Sequence, residues 1–295
     1  MTDTKRDVSR MTELVNMLSP KTMVRILDIG ANPLIEGEVS YQALLDSGHA
    51  EVVGFEPQQN ALEALNARKS DAETYLPHAL GDGSNQTLRL YHAPGFTSVY
   101  PANAGTAAYL GFEKDLVETG TELIKTRKLD GIGEVSKVDF LKIDVQGSEK
   151  TILENGRMKI AQACAVQTEV RMFPLYDGEP RYGGLEAELV VQGFEFLRFA
   201  TLKHICLARR FRSRLRRRDF AQAVDGDAFF IRDLREVNSY TDEQLKKLAI
   251  IADAIIGSHD LALYALENLL ERGTIDAPVI DAYFAAIPQN KLRGV

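Results

Sequence analysis

Long apolar runs, closely spaced cysteines and any excess of positive charge are all missing from this chain of 295 residues. No stretch approaches the roughly 18 consecutive apolar residues of a membrane-spanning helix, so no transmembrane segment is expected. The two cysteines, Cys164 and Cys206, stand in no CxxC or Cys/His spacing. That excludes a disulfide framework or a sequence-coded zinc site as the expectation, and it fits a reducing compartment. A formal net charge of −7 argues against a general nucleic-acid binder. The opening "MTDTKRDVSRMTELVNMLSP" carries acids and lacks the apolar core of a secretory signal. The expected location is the cytoplasm.

What the chain holds is the balance of a globular protein: 45% hydrophobic and 26% charged residues, enough to bury a core without staples. From residue 24 onward, apolar runs alternate with helical patterns. "MVRILDIG" and "AEVVGFEP" predict strands, the second stopped by Pro57. "EVSYQALLDSG", closed by Gly48, and "QQNALEALNARKS" predict helices. "AETYLPHALG" and "QTLRLYHA" predict short strands, "VDFLKIDVQG" and "AQACAVQTEV" buried ones, and "EKTILENG" and "GGLEAELVVQG" helices. "FEFLRFA" and "DAFFIRD" end the series as strands that lie close enough to pair antiparallel. The fold class is α/β, a parallel sheet with helices on both faces.

Three segments follow from this reading: an N-terminal helix at 1–23, the sheet domain at 24–233 and a three-helix appendage at 234–295. In the appendage Thr241 and Gln244 have capping-box spacing, and Ser258 and Asp276 stand where the next two helices start. Its apolar stripes must bury, either on the sheet domain or in a homo-oligomer.

Ligands of open parallel sheets sit beyond the carboxyl ends of the strands, which singles out the loop "LDIGANPLIEG". A dinucleotide fingerprint needs G-x-G-x-x-G; counted from Gly30, the next two glycine positions are Asn32 and Ile35. No GK[ST] follows either, so a P-loop is excluded. Asp28 at the first strand tip repels a phosphate and favours a cation. Glu56, at the end of "VVGFEP", is placed to accept from both hydroxyls of a ribose. A ribose, a positive group and no phosphate describe S-adenosylmethionine (SAM).

The segment "FLKIDVQGSEKTILENG" resembles the hallmark of the FkbM family of SAM-dependent methyltransferases, with Lys142, Ile143, Asp144, Gln146, Gly147, Glu149, Leu153 and Gly156 matching. "LDIGAN", "GFEP", "ALGDG", "FTSVY", "VQTEV" and "DAFFIR" add matches in order, over about residues 24–232. The resemblance implies a Rossmann-like seven-stranded methyltransferase fold and methyl transfer to an oxygen, typically a hydroxyl of a sugar, glycolipid or natural product. It departs from the family in "GANPLIEG", where Pro33 and the later Gly37 replace an early second glycine. Carried over by position, Asp28, Gly30 and Asn32 line the methionine end of SAM and Glu56 the ribose. Asp82 falls near the adenine edge, where it equally forms a plain turn, and Ser98 falls near the cofactor.

Methylating an alcohol requires an in-line geometry and a base. Asp144 and Glu169 end consecutive apolar strands, so either carboxylate is a candidate base. The two could also share a divalent cation, but no third oxygen ligand is evident, and metal-free base catalysis is the expectation. The five histidines show no metal-binding spacing. The tyrosines of "FPLYDGEPRY" either line an acceptor cleft or pack. In "RRFRSRLRRR", Arg209, Arg210, Arg212, Arg214, Arg216, Arg217 and Arg218 point to an anionic partner or acceptor, or else to a solvated insertion. Nucleic acid is not expected there. Two other readings stand beside O-methyl transfer: a degenerate methyltransferase fold used for binding or assembly, and an NAD-dependent oxidoreductase, which the broken glycine pattern disfavours.

Overall fold

A seven-stranded sheet organises the chain, described over residues 3–33 and 39–293 by a computed structural model. In chain order the strands are β1 (Val24–Ile29), β2 (Ala50–Phe55), β3 (Glu73–Leu76), β4 (Asn85–Tyr91), β5 (Glu118–Lys125), β6 (Phe140–Ile143), β7 (Ala165–Arg171), β8 (Phe194–Phe199), β9 (His204–Ile205), β10 (Gln222–Ala223) and β11 (Asp225–Arg232). The α-helices are α1 (Asp3–Leu18), α2 (Gln42–Asp46), α3 (Gln59–Arg68), α4 (Ala104–Leu110), α5 (Glu149–Glu154), α6 (Arg157–Ile160), α7 (Tyr182–Val191), α8 (Asp242–Ile251), α9 (His259–Glu271) and α10 (Ala277–Ala286).

The sheet order is β3-β2-β1-β6-β7-β11-β8. Neighbours are parallel except at β11, which runs antiparallel to both β7 and β8, the expected closing pair. The order reverses between β1 and β6, which opens a crevice at their carboxyl ends. All four residues of β6 are buried, Lys142 among them, because helices cover both faces.

Side chains alternate across the sheet with period two, and the two faces build separate cores. Ile26 and Phe140 join a core with α1, α8 and α9, whereas Leu27, Ile29, Leu141 and Ile143 join one with α5 and α7. The C-terminal helices therefore bury their stripes on the sheet and on α1. Polar ties reinforce this packing. Lys247 of α8 donates to Asp139 at 2.6 Å, the carboxylate that also takes Arg25. Asp253 takes Arg10 at 2.8 Å and Tyr283 at 2.7 Å.

The Thr241–Gln244 capping box forms in both directions, and Ser258 accepts from the Leu261 amide. Asp276 is the exception: it precedes α10 but makes no side-chain cap bond, with Pro278 in the first turn. The helix expected over 241–257 is α8 followed by a π-helical turn at Ala252–Ile256, and Gly257 ends it at φ +65°.

Two elements carry no clear sequence signal. β5 pairs antiparallel with β4 in a separate ribbon, and nearly all of its side chains are exposed, so it shows no apolar periodicity. The short α4 is capped by Asn103. Gly37 and its neighbours, where the loop departs from the family pattern, lie outside the described residues. Among the described residues no helix is long and apolar enough to cross a membrane.

Candidate active site

The loops after β1, β2 and β6 meet at the reversal point and wall a cavity. Its apolar lining includes Phe55, Leu80 and Val145, and its polar lining includes Asn32, Glu56, Asp144 and Gln146. The β4–β5 ribbon closes one side with Leu88 and Ile124. Gly30, at φ +88°, makes the close approach possible: a Cβ there would lie 2.0 Å from the Asp144 carbonyl oxygen.

Glu56 is buried at the tip of β2. One of its oxygens accepts from the Gln58 amide at 2.6 Å; the other has no hydrogen-bond partner among the described residues. Burial pushes its carboxyl up to about 7, with the Asp28 charge adding and the Gln58 amide opposing.

Beyond β6 and β7 lies a carboxylate network. Gln146 Nε2 donates to Asp144 Oδ1 and to Glu169 Oε2, at 2.9 Å each. Gln146 adopts φ +57° to do so, and Ser98 Oγ holds its carbonyl at 2.6 Å. Arg171, two positions after Glu169 on the same face of β7, donates to Glu169 at 3.0 Å, to Asp225 at 3.0 Å and to Gln146 Oε1 at 2.6 Å. Its Nε faces Glu179 at 3.4 Å. Burial raises the Glu169 carboxyl well above the usual range; Arg171 opposes this, while Asp144, Glu149 and Asp225 add to it.

Glu149 is a third carboxylate that sequence reasoning did not assign. It accepts from the Val145 and Gly147 amides at 2.9 Å, and burial pushes it up to about 7. Asp144, Glu149 and Glu169 each bring a ligand oxygen within 4.8 Å of the others, the donor set a divalent cation uses. The expectation of only two such oxygens is thus corrected. The Gln146 amide group nonetheless bridges two members of the set.

The Methyltransferase FkbM domain model matches residues 28–196, more than half of the chain and all the loops just described. The chain belongs to the FkbM methyltransferase family. It is therefore a methyltransferase, and with the family comes SAM as the methyl donor. No curated protein matches the chain. Among solved structures, it is similar to a TehB-like SAM-dependent methyltransferase from Corynebacterium glutamicum ATCC 13032 Kitasato, at 9% identity and TM-score 0.34, over 76% of this chain and 88% of that one. It is also similar to the magnesium protoporphyrin IX methyltransferase ChlM from Synechocystis PCC 6803, at 10% identity and TM-score 0.33, over 77% and 80%. Likenesses this faint carry no argument about what this FkbM protein does.

Of the residues expected at the FkbM site, Gly30, Asn32, Glu56 and Asp144 line the cavity. Asp28 does not. Period-two alternation turns it to the opposite face of β1, where it accepts from Tyr41 at 2.5 Å and from Lys142, its register partner on β6, at 3.2 Å. Asp82 is also off the wall: it is exposed and caps its own turn by accepting from the Ser84 amide and hydroxyl. Ser98 is buried behind the wall as the clamp on Gln146, and Glu169 stands off the wall, bonded to Gln146 and Arg171. The two tyrosines pack instead of lining a cleft. Tyr176 is buried and donates to the Phe96 carbonyl, and Tyr182 lies against Phe196 and Phe199.

The residues present suit SAM. An apolar slot beside Phe55 and Leu80 would take a flat base, and Glu56 has an oxygen to offer a ribose. The glycine-lined turn at Gly30 admits close backbone approach. Sequence reasoning missed Arg171, whose signal was its i, i+2 spacing from Glu169, and Lys142, whose signal was its place one strand over from Asp28.

Proposed function

We propose that this protein transfers a methyl group from SAM to a hydroxyl oxygen of a sugar, glycolipid or other small-molecule acceptor. The observation that carries the reading is the position of Asp144: on the cavity wall, tied to a buried second carboxylate through Gln146. Bound SAM supplies the electrophilic methyl. The chain supplies a base and its orientation. Asp144 accepts the hydroxyl proton as the oxygen attacks. Gln146 fixes the Asp144 carboxylate, and Glu169 and Arg171 hold Gln146 from behind. Gly30, Asn32 and Glu56 bind the donor, Glu56 through the ribose.

The test is transfer of tritium-labelled methyl from SAM to a cell extract separated into lipid, polysaccharide, small-molecule and protein pools. Label in the first three pools that disappears with Asp144→Asn supports the reading. Label in the protein pool overturns the acceptor class, and absence of SAM binding by calorimetry removes its basis.

A further inference from the structure

The insertion between β8 and β11 exposes thirteen consecutive residues, Leu207–Asp219. Seven of the chain's 35 basic residues fall inside it, although the whole chain stands at −7. Asp219 is its one acid. Arg210, Arg212, Arg214, Arg216, Arg217 and Arg218 form no hydrogen bond or ion pair with any other described residue. Neutralising partners are therefore not provided by the fold.

Between these arginines Phe211 and Leu215 are 45% exposed each, and Leu207 just before them is 52% exposed. Tyr109 of α4 continues the patch at 44%, its ring stacked on Phe173 at 5.3 Å. The segment is anchored in place. Arg209 donates to the carbonyls of Ala108 and Tyr109, and β9 and β10 zip its two ends together. Phe211 lies on a 3-10 turn at Arg209–Arg214, and Leu215 lies in the bend between it and a second turn at Arg217–Asp219.

We propose that this insertion docks the protein on an anionic phospholipid surface. A solvated loop needs no exposed Leu and Phe, and a free anion or a nucleic-acid backbone needs arginines alone. Arginines interleaved with half-exposed apolar side chains match the boundary of an anionic bilayer, where phosphates lie directly above acyl chains. β11 pairs with β7 directly behind the insertion, with Asp225 opposite Arg171, so docking brings the carboxylate edge of the sheet toward the membrane. The inference does not depend on the proposed chemistry, because vesicle binding is read without methyl transfer.

The full chain is sedimented with vesicles of phosphatidylcholine alone and of equimolar phosphatidylcholine and phosphatidylglycerol. The expected result is binding to the anionic vesicles on the order of tenfold or more tighter, falling steeply as salt rises. Replacing Arg212, Arg214, Arg217 and Arg218 by Ala should abolish it. Phe211→Ser with Leu215→Ser, which keeps every arginine, should weaken it on the order of tenfold. Unchanged binding by the apolar double variant, or equal affinity for a DNA duplex, would reassign the patch to a plain polyanion site and overturn the proposal. Salt-independent binding of the unaltered chain overturns it as well, even if a variant fails to fold.

Discussion

Gly30 stands directly against the carbonyl oxygen of Asp144, closer than any side chain allows: a Cβ at Gly30 would lie 2.0 Å from it. The contact joins the loop after β1 to the loop that bears the candidate base. The loop after β6 can sit there because Gly30 puts no side chain in its way.

Gly30→Ala tests that junction. The substitution adds both a clash with backbone and a left-handed φ that alanine resists, together about 2–4 kcal/mol of destabilisation. Denaturant titration should show this loss with an unchanged m value. SAM affinity should fall by at least about tenfold, since the loop can relieve the clash only by moving.

If Glu56 takes the ribose as proposed, donor binding should depend on pH. Its carboxyl titrates at about 7 in the free protein, and a ribose diol hydrogen-bonds best to the ionised form. Binding should therefore release a proton. SAM affinity should rise as pH rises from about 6 to about 8, by on the order of tenfold. Calorimetry in buffers of different ionisation enthalpy counts the proton. Glu56→Gln should bind more weakly and with a flat pH profile; a slope that persists in this variant assigns the effect elsewhere.

Asp144→Asn should leave the cavity shape and most of the SAM affinity intact while lowering kcat by about 10²–10⁴. Single-turnover transfer to the labelled pool measures the rate, and calorimetry measures the binding. Gln146→Ala should also lower kcat, and raising the pH should recover none of it, because the loss is one of position and not of protonation.

Among the described residues Arg171 is the sole guanidinium facing Glu169, Glu179 and Asp225, although Lys203 also pairs with Asp225 at 3.0 Å. Arg171→Met leaves those carboxylates buried without it, a loss of about 3–5 kcal/mol at neutral pH. Burial raises the Glu169 and Glu179 carboxyls, and their protonation relieves part of that penalty, so the variant's deficit in urea midpoint should shrink as pH falls.

Stability of the unaltered chain should itself fall as pH rises from about 4.5 to about 7. Glu56 and Glu149 keep their protons to about 7 when folded, so over that window the native state binds more protons than the unfolded chain. Asp139 is held the opposite way: its bonds to Arg25 and Lys247 outweigh burial and keep its carboxyl below the usual range. Its contribution is present above the unfolded value and lost only in stronger acid. Urea midpoints should therefore peak near pH 4.5 to 5 and decline on both sides.

The succession of strands and helices along the chain and the two acids Glu56 and Asp144 at strand ends were written in local pattern. Apolar runs bounded by glycine and proline are set by the energetics of burial, and these act residue by residue along the chain. Glu56 and Asp144 could be placed from sequence for the same reason: each follows a strand whose end is legible. The β4–β5 ribbon could not be, because backbone pairing holds it with little buried surface to leave a periodic trace.

The tertiary structure alone decided which acids act together. One position of strand phase turned Asp28 away from the cavity and onto Lys142. A left-handed Gln146, an arginine on the next strand and Glu149 brought from α5 built the network around Asp144. Those partners lie on different strands and loops. Only the register of β6 against β7 and of β7 against β11 fixes the distances between them, and no spacing along the chain encodes a distance across it.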